Sequence, residues 1–547
     1  METPIYQKTR GLNHSFIFLF SLAVFLFALS PVSQSDTGAI IKTGEYIISH
    51  WSIPRVDVFS LSAAGAPFIA HFWLAAVIFY FLDALNPWAL VIFSALFASA
   101  SALILLHFGR RLSGSLLLPF LLLPLLFALT FELWVPRAQI FSYLGVILLL
   151  IYLNDFPDRR DSRLFLYSLP VLFLIWANLH AGIVLGLLIL AVYVITRLRA
   201  SFLRPLLTIS LFSLFITFLN PNGFYLHLYP LLIKDVAAAL GVMEWQSLLS
   251  FLSLRAPARF FLALIVVVSS FIVFRLFSRK FRETDDYFTA ALTVLAVALP
   301  LISIRHAAFF PILTFPILCR EIKWRLSTHL SESFSARAAA GIFLVLFLLF
   351  GVRHARAVLA PGPVNHHSLP ALAADFIITN HLPGPIFNLE NGGYLIYRLY
   401  PDYSVFFDNR NEVYRGAPLS EYLTIARRQD GWENLFNEKY NFQTVVLWYR
   451  PPLDSFAAGL SHDLISRGWS LVFWDDAALV LIRPSEDNQN LIGEFSLKII
   501  NPFIAPDLIP PASRRAAAAE TLRALSAAPD SLLLRAYART LLSLPAD

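Results

Sequence analysis

The sequence predicts a polytopic α-helical membrane protein, followed by an α/β soluble domain and a short helical tail. Three observations carry that expectation. The mean hydropathy of the 547 residues is +0.66, with 57% hydrophobic and 14% charged, a balance suited to contact with lipid. Apolar runs recur from residue 16 to about residue 354, each to be weighed against the ~20 residues a helix needs to cross a bilayer core. After Arg356 the texture changes to short alternating segments punctuated by Pro361, Gly362, Pro363, Pro370, Pro383, Gly384 and Pro385, with no run long enough to span.

The first run follows Lys8 and Arg10, as the core of a signal peptide would, but no small-x-small cleavage site follows in "ALSPVSQSD". The expectation is an uncleaved first span at 14–32. Further spans are expected at 68–85, 87–107, 114–131, 139–154, 164–179, 181–197, 203–219, 260–277, 287–303, 306–320 and 338–353, roughly 11–13 in all. Basic residues crowd the loops holding Arg159, Arg160 and Arg163; Arg197, Arg199 and Arg204; Arg275, Arg279, Lys280 and Arg282; and Arg320, Lys323 and Arg325, which places those loops in the cytoplasm. The alternate loops, "FELWVPRAQ", "WANLHAG", "NPNGFYLHLYP…MEWQS" and "SIRH", then face the exterior together with Ser35–Ser60. Strict alternation puts Arg110 and Arg111 outside, against that bias, so one segment between residues 68 and 131 is expected to be re-entrant or miscounted. Cys319 stands alone and cannot form an internal disulfide.

The expected organisation is a transmembrane domain over 1–358 with an external loop at 33–67, an extracytoplasmic α/β domain over 359–490, and a linker and helical tail over 491–547. Strands are expected at "PIFNL", "YLIYRLY", "SVFFD", "TVVLW", "SLVFW" and "ALVLIR", and helices near 369–381, 418–437 and 455–467. Beyond Pro510, two amphipathic helices broken at Pro529 resemble one tetratricopeptide-like pair, or form a tail packed on the domain.

Polar residues gather at one membrane face. Asp36 lies four residues past the first span; there it is either a solvated aspartate at a helix end or a general base in reach of a lipid-borne substrate. Ile40, Ile41, Tyr46, Ile47 and Ile48 after it suit a helix lying on the membrane surface, with Glu45 facing water. Asp57, in "IPRVDVFS", suits a turn or helix cap. His71 and Trp73 open the second span. Arg137 and Gln139 stand at a span mouth, where a guanidinium either snorkels to the surface or grips an anion. Asn178 and His180 interrupt nearly unbroken apolar sequence, and polar groups at such depth usually face a cavity. Glu244 is an exterior acid, and Arg305 with His306 an exterior basic pair that binding of a lipid phosphate would explain. Asp408 and Arg410, in "FFDNRNE", either contact a ligand or form a surface turn after a strand. The chain has no Walker loop, dinucleotide fingerprint, zinc-spaced Cys or His set, or HExxH. No inverted repeat marks a transporter.

The order of these features resembles the C-type superfamily of membrane glycosyltransferases (GT-C). The string from "SDTGAIIKTGEYIISHWSIPRVDVFS" to "HFWL" is similar to a bacterial subgroup whose loop reads Asp, then Gly after eight residues, then Ile-Pro-x-x-Asp-x-Phe-Ser and His-x-Trp-Leu; Asp36, Gly44, "IPRVDVFS", His71, Trp73 and Leu74 match. "RAQIFSY", "WANLHAG", "NPNG", "EWQS" and "GGYLIYRLYP…VFFDNRNEVY" extend the likeness over most of residues 30–485. Phe72 stands where that subgroup commonly has Glu, and Thr37 where many members have a second acid. The missing acid disfavours a divalent metal, which prefers several oxygen ligands. No cofactor is expected.

The resemblance implies an inverting transfer of a sugar from a polyprenyl-phosphate donor to a glycan, lipid or protein acceptor, at the outer face of the cytoplasmic membrane. Asp36 would be the base, with Arg137, His180, Arg305 or His306 holding the departing phosphate and Gln139, Asn178, Glu244, His71 and Asp57 completing the substrate site. The partners are that donor, the acceptor and the bilayer; nucleic acid is not among them. The rival expectation is a non-catalytic scaffold or lipid-linked-oligosaccharide transporter with the same architecture.

Overall fold

A computed structural model describes residues 4–127, 130, 133–253, 256–278, 284–326, 334–360, 362–448 and 455–544. Arg279, Lys280, Arg282 and Pro361 lie outside the described residues. In chain order the first helices are α1 (Pro4–Ala28), α2 (Ser35–His50), α3 (Trp73–Leu85), α4 (Pro87–Ser113), α5 (Leu117–Phe127), α6 (Gln139–Arg159), α7 (Arg163–Leu179) and α8 (Ile183–Ile195). Next come α9 (Leu203–Ile216), α10 (Tyr225–Leu232), α11 (Lys234–Leu240), α12 (Ala256–Ser278), α13 (Thr284–Ile302), α14 (Phe309–Leu326) and α15 (Phe334–Leu359).

Every apolar run expected to span lies on one of these helices. Several helices are shorter than their runs, because residues 29–32, 68–72 and 217–219 are apolar but not helical. Among the described residues, α4, α6, α12, α13 and Ala338–Leu359 of α15 are long and apolar enough to cross a membrane; His14–Ala28, α3, α7, α8 and α9 are shorter apolar helices. Local chemistry sets several of the boundaries. The Asn86 side chain accepts from Trp88 N–H with Pro87 opening α4, and Gly114 ends that helix at a φ of 73°.

The chain divides into two compact units. The first comprises Met1–Pro31, His71–Ala75 and Leu82–Ala360. Within it α1 packs on α4 and α15, α4 on α14, α14 on α13, and α7 on α9. Large apolar side chains remain exposed on α12 (Phe260, Val267, Phe274) and α15 (Ile342, Leu346, Phe350), as helices facing hydrocarbon require. Arg111, at the end of α4, pairs at 2.6 Å with Asp155, which also lies 3.9 Å from Arg159. The Arg110–Arg111 end of α4 therefore sits beside the basic α6–α7 turn. The 13-residue α3, ~20 Å long, and the 11-residue α5 both fall short of a ~30 Å hydrocarbon core, and either suits the re-entrant or miscounted segment expected between residues 68 and 131.

The second unit comprises Val32–Ala70, Ala76–Phe81 and Pro361–Asp547. Its C-terminal part runs α16 (Ala371–Thr379), β1 (Ile386–Leu389), α17 (Gly392–Leu399), α18 (Ala417–Ala426), α19 (Trp432–Asn434), β2 (Thr444–Trp448) and α20 (Ser455–Ser466). It ends with β3 (Ser470–Trp474), β4 (Ala478–Ile482), α21 (Gln489–Phe495), α22 (Pro511–Ala527) and α23 (Leu532–Ser543). The sheet order is β1-β2-β4-β3, with β1 parallel to β2 and the other pairs antiparallel. Asp476 anchors the tail, accepting from Ser531 Oγ at 2.7 Å and from Leu532 and Leu533 N–H at 2.8 Å.

Two sequence expectations fail in this unit. "YLIYRLY" lies on helix α17 and its C-terminal cap, not on a strand; the helix is buried on more than one side, through Tyr394, Leu395, Ile396 and Leu399. "SVFFD" forms only an isolated bridge at Val405. The segment expected on the membrane surface is indeed a helix, α2, but Ile40, Ile41 and Ile47 are buried inside the protein. α2 packs on α17 at glycines: a Cβ on Gly38 would stand 2.7 Å from the Gly393 carbonyl, and one on Gly393 2.6 Å from the Ser35 carbonyl. Ser35 Oγ accepts from Tyr394 N–H at 3.0 Å.

Candidate functional site

The first unit gathers residues from three loops and the start of α6 around Glu244. Arg137, just before α6, forks onto its carboxylate with bonds of 2.8 and 3.2 Å, and Arg305 pairs with the same carboxylate. The "MEWQS" and "SIRH" loops are laced together beneath this pair. Ser303 Oγ donates to the Glu244 carbonyl at 2.7 Å, Ile304 N–H to the Gln246 carbonyl at 2.9 Å, and the Arg305 guanidinium lies 5.4 Å over the Trp245 ring. Gln139 Nε2 donates to the Arg305 carbonyl at 3.2 Å, tying the start of α6 to the cluster.

Burial opposes the charge on Glu244, but the Arg137 and Arg305 guanidiniums outweigh it and hold the carboxyl well below its ordinary range. His306 is pushed down to about 4, first by burial and then by Arg305. It is therefore neutral at physiological pH. Its buried Nδ1 has no hydrogen-bond partner among the described residues. Two guanidiniums thus converge on one carboxylate, and guanidinium groups are the donors best matched to carboxylate and phosphate oxygens.

His180, in the turn between α7 and α8, is oriented by a relay that the sequence did not flag. Trp176 Nε1–H donates to Ser142 Oγ at 2.8 Å; Ser142 Oγ lies 2.7 Å from His180 Nδ1, and Gly182 N–H donates to that nitrogen at 3.1 Å. Nδ1 is thus an acceptor, which assigns the ring proton to Nε2 and makes that edge a donor. The indole can sit there because Gly145 and Gly186 leave room, a Cβ at either position falling 2.6 Å from its ring. The His180 pKa lies well below the ordinary value, through burial and then through His71, Arg305, Arg137 and His306. His71 stacks on Tyr229 with centroids 3.9 Å apart and lies 5.8 Å from His180.

The remaining candidates have other surroundings. The Asn178 amide accepts from Trp73 Nε1 at 2.9 Å and donates to the Leu174 and Leu219 carbonyls, so it ties helix ends together. Asp36 belongs to the second unit, half-buried in the first turn of α2. Asp57, also in the second unit, closes its own turn by accepting from Phe59 and Ser60 N–H at 3.1 and 3.2 Å, and pairs with Arg410 at 2.6 Å. Arg410 also binds Asp408 at 2.6 Å and lies between the Phe59 and Phe68 rings. Asp408 and Arg410 are buried, not the surface turn weighed from sequence. Among the described residues no three His, Cys, Asp or Glu side chains group as a metal site.

No family model and no curated protein matches the chain in sequence. Among solved structures it is similar to ArnT from Cupriavidus metallidurans bound to undecaprenyl phosphate, with a TM-score of 0.51 and 15% identity over 87% of this chain and 98% of that one. The chain has an ArnT-like fold. That is the fold class expected from the sequence, a helical membrane protein with a small mixed sheet toward its C-terminus. At 15% identity the ArnT likeness speaks for architecture, and the chemistry has to be argued from this chain's own residues.

Proposed function

We propose that the protein is a membrane glycosyltransferase that takes a sugar from a polyprenyl-phosphate donor and passes it to an acceptor hydroxyl at the outer face of the cytoplasmic membrane. The observation that carries this reading is the Arg137–Glu244–Arg305 cluster, two converging guanidiniums in a fold shared with a structure that holds undecaprenyl phosphate. In the proposed step Asp36 takes the proton of the acceptor hydroxyl as its oxygen bonds to the anomeric carbon. The bond from that carbon to the phosphate oxygen breaks, and its electron pair leaves with the polyprenyl phosphate. Attack from the opposite face gives inversion. Arg137 and Arg305 hold the departing phosphate, His180 donates from Nε2–H, and one such donor in a water-excluded site is worth about 3 kcal/mol. Placement of the C-terminal domain outside the membrane belongs to the same proposal.

Transfer from polyprenyl-phosphate-linked sugars to candidate acceptors by the purified protein tests it, with Asp36→Asn alongside. Loss of a positioned base is expected to slow transfer by about 10²–10⁴-fold. Equal turnover in parent and variant would remove Asp36 from the chemistry. Absence of turnover with every donor would favour the scaffold or transporter, the reading that Phe72 in the acid position supports.

A further inference from the structure

The second unit carries a cavity of about 400 Å³ at the end of the sheet where β3 begins and β4 ends. Its walls include Trp432, Phe436, Trp469, Asn437, Arg467 and Arg483. That volume falls at the lower end of small-molecule sites, which run to roughly 300–1,000 Å³.

The two arginines are presented differently. Arg467 lies 5.6 Å over Trp432 and forks onto Glu433 at 2.9 and 2.7 Å. Arg483 lies 5.7 Å over Trp469 and donates to two neutral amide oxygens, Asn441 Oδ1 at 2.5 Å and Asn437 Oδ1. Among the described residues no carboxylate pairs with Arg483. Burial lowers its pKa from the ordinary guanidinium value. A guanidinium set over an indole and held by two amide oxygens is fixed in direction, and its planar fork suits an anion. The cavity thus joins an uncompensated cation to amide groups and aromatic walls.

We propose that this cavity binds an anionic saccharide: Arg483 receives the charged group, Asn437 and Arg467 meet ring hydroxyls, and the aromatic side chains beneath the two guanidiniums hold them in place. The choice of a saccharide over other anions rests on the proposed transferase function; the anion site itself does not. A uronate carboxylate and a sugar phosphate would both satisfy the pocket.

The test is equilibrium binding to the full-length protein in detergent, with no donor and no turnover, so failed transfer and failed binding are separate results. The probes are oligogalacturonate, a neutral malto-oligosaccharide of equal length, glucose 6-phosphate and inorganic phosphate. At least one acidic saccharide is expected to bind ten times more tightly than the neutral one and than phosphate, and which of them does so identifies the anion. Arg483→Gln is expected to weaken that binding at least tenfold. Glu433→Gln, at an exposed pair, is expected to strengthen it about threefold by removing a nearby negative charge, and it keeps the test alive should Arg483→Gln fail to fold. Equal binding of neutral and acidic sugars, phosphate binding as tight as the saccharides, or affinity unmoved by either substitution would overturn the proposal.

Discussion

Arg137 holds Glu244 through a fork, 2.8 Å to one carboxylate oxygen and 3.2 Å to the other. Arg305 takes the same carboxylate, so one acid spaces two guanidiniums that would otherwise repel. Glu244→Gln is expected to lower stability by about 1–3 kcal/mol, less than a fully buried pair would cost because the Glu244 side chain keeps 30% exposure. The pH dependence has a definite sign. A carboxyl whose folded pKa is depressed contributes stability that is complete above its unfolded value, near pH 4–5, and is lost as pH falls through the folded value. Thermal unfolding between pH 7 and pH 3 should show a fall in the parent that is shallower in Glu244→Gln; parallel curves would contradict the pairing.

The relay Trp176–Ser142–His180 predicts a coupling. Ser142→Ala leaves the buried indole N–H without its acceptor, at a cost of about 1–3 kcal/mol. Trp176→Phe should remove most of that penalty, because no donor then remains to satisfy. A double-mutant cycle in thermal unfolding is expected to give about 1 kcal/mol of interaction or more, and simple additivity would mean the hydrogen bond contributes nothing.

Arg410 sits buried between Asp57 and Asp408. Arg410→Met strands two carboxylates away from water and is expected to destabilise the second unit by about 3–5 kcal/mol. Asp57→Asn keeps the Asp408 pair and should cost less. Limited proteolysis of the folded protein ranks them; equal resistance of parent and Arg410→Met would show that the ion pairs do not hold this unit together.

The elements that sequence foretold are those set by local chemistry. Apolar runs became helices because hydrocarbon-compatible composition acts residue by residue. "YLIYRLY" was misread because a short, nearly continuous apolar run suits a buried strand or a buried helix equally, and only packing on α2 decides between them. Arg137, Glu244 and Arg305 were singled out from separate loops, but the sharing of one carboxylate by the two arginines is tertiary and leaves no sequence signal. Ser142 looks like an ordinary small residue in an apolar helix, and its role is visible only once Trp176 is seated. Trp432, Trp469 and Arg483 lay in segments whose texture promised only a core and a strand end.

The glycine contact between α2 and α17 also bears on how the chain is made. Ser35 and Tyr394, joined by a hydrogen bond, are 359 residues apart in sequence. At about 5–20 residues per second of synthesis, α2 waits on the order of 20 to 70 s for its partner to emerge. Throughout that interval the helix bearing Asp36 has its buried face uncovered, so a chain truncated before residue 392 would leave it exposed to proteases and to aggregation. The segment that opens the candidate chemistry is therefore among the last to be completed.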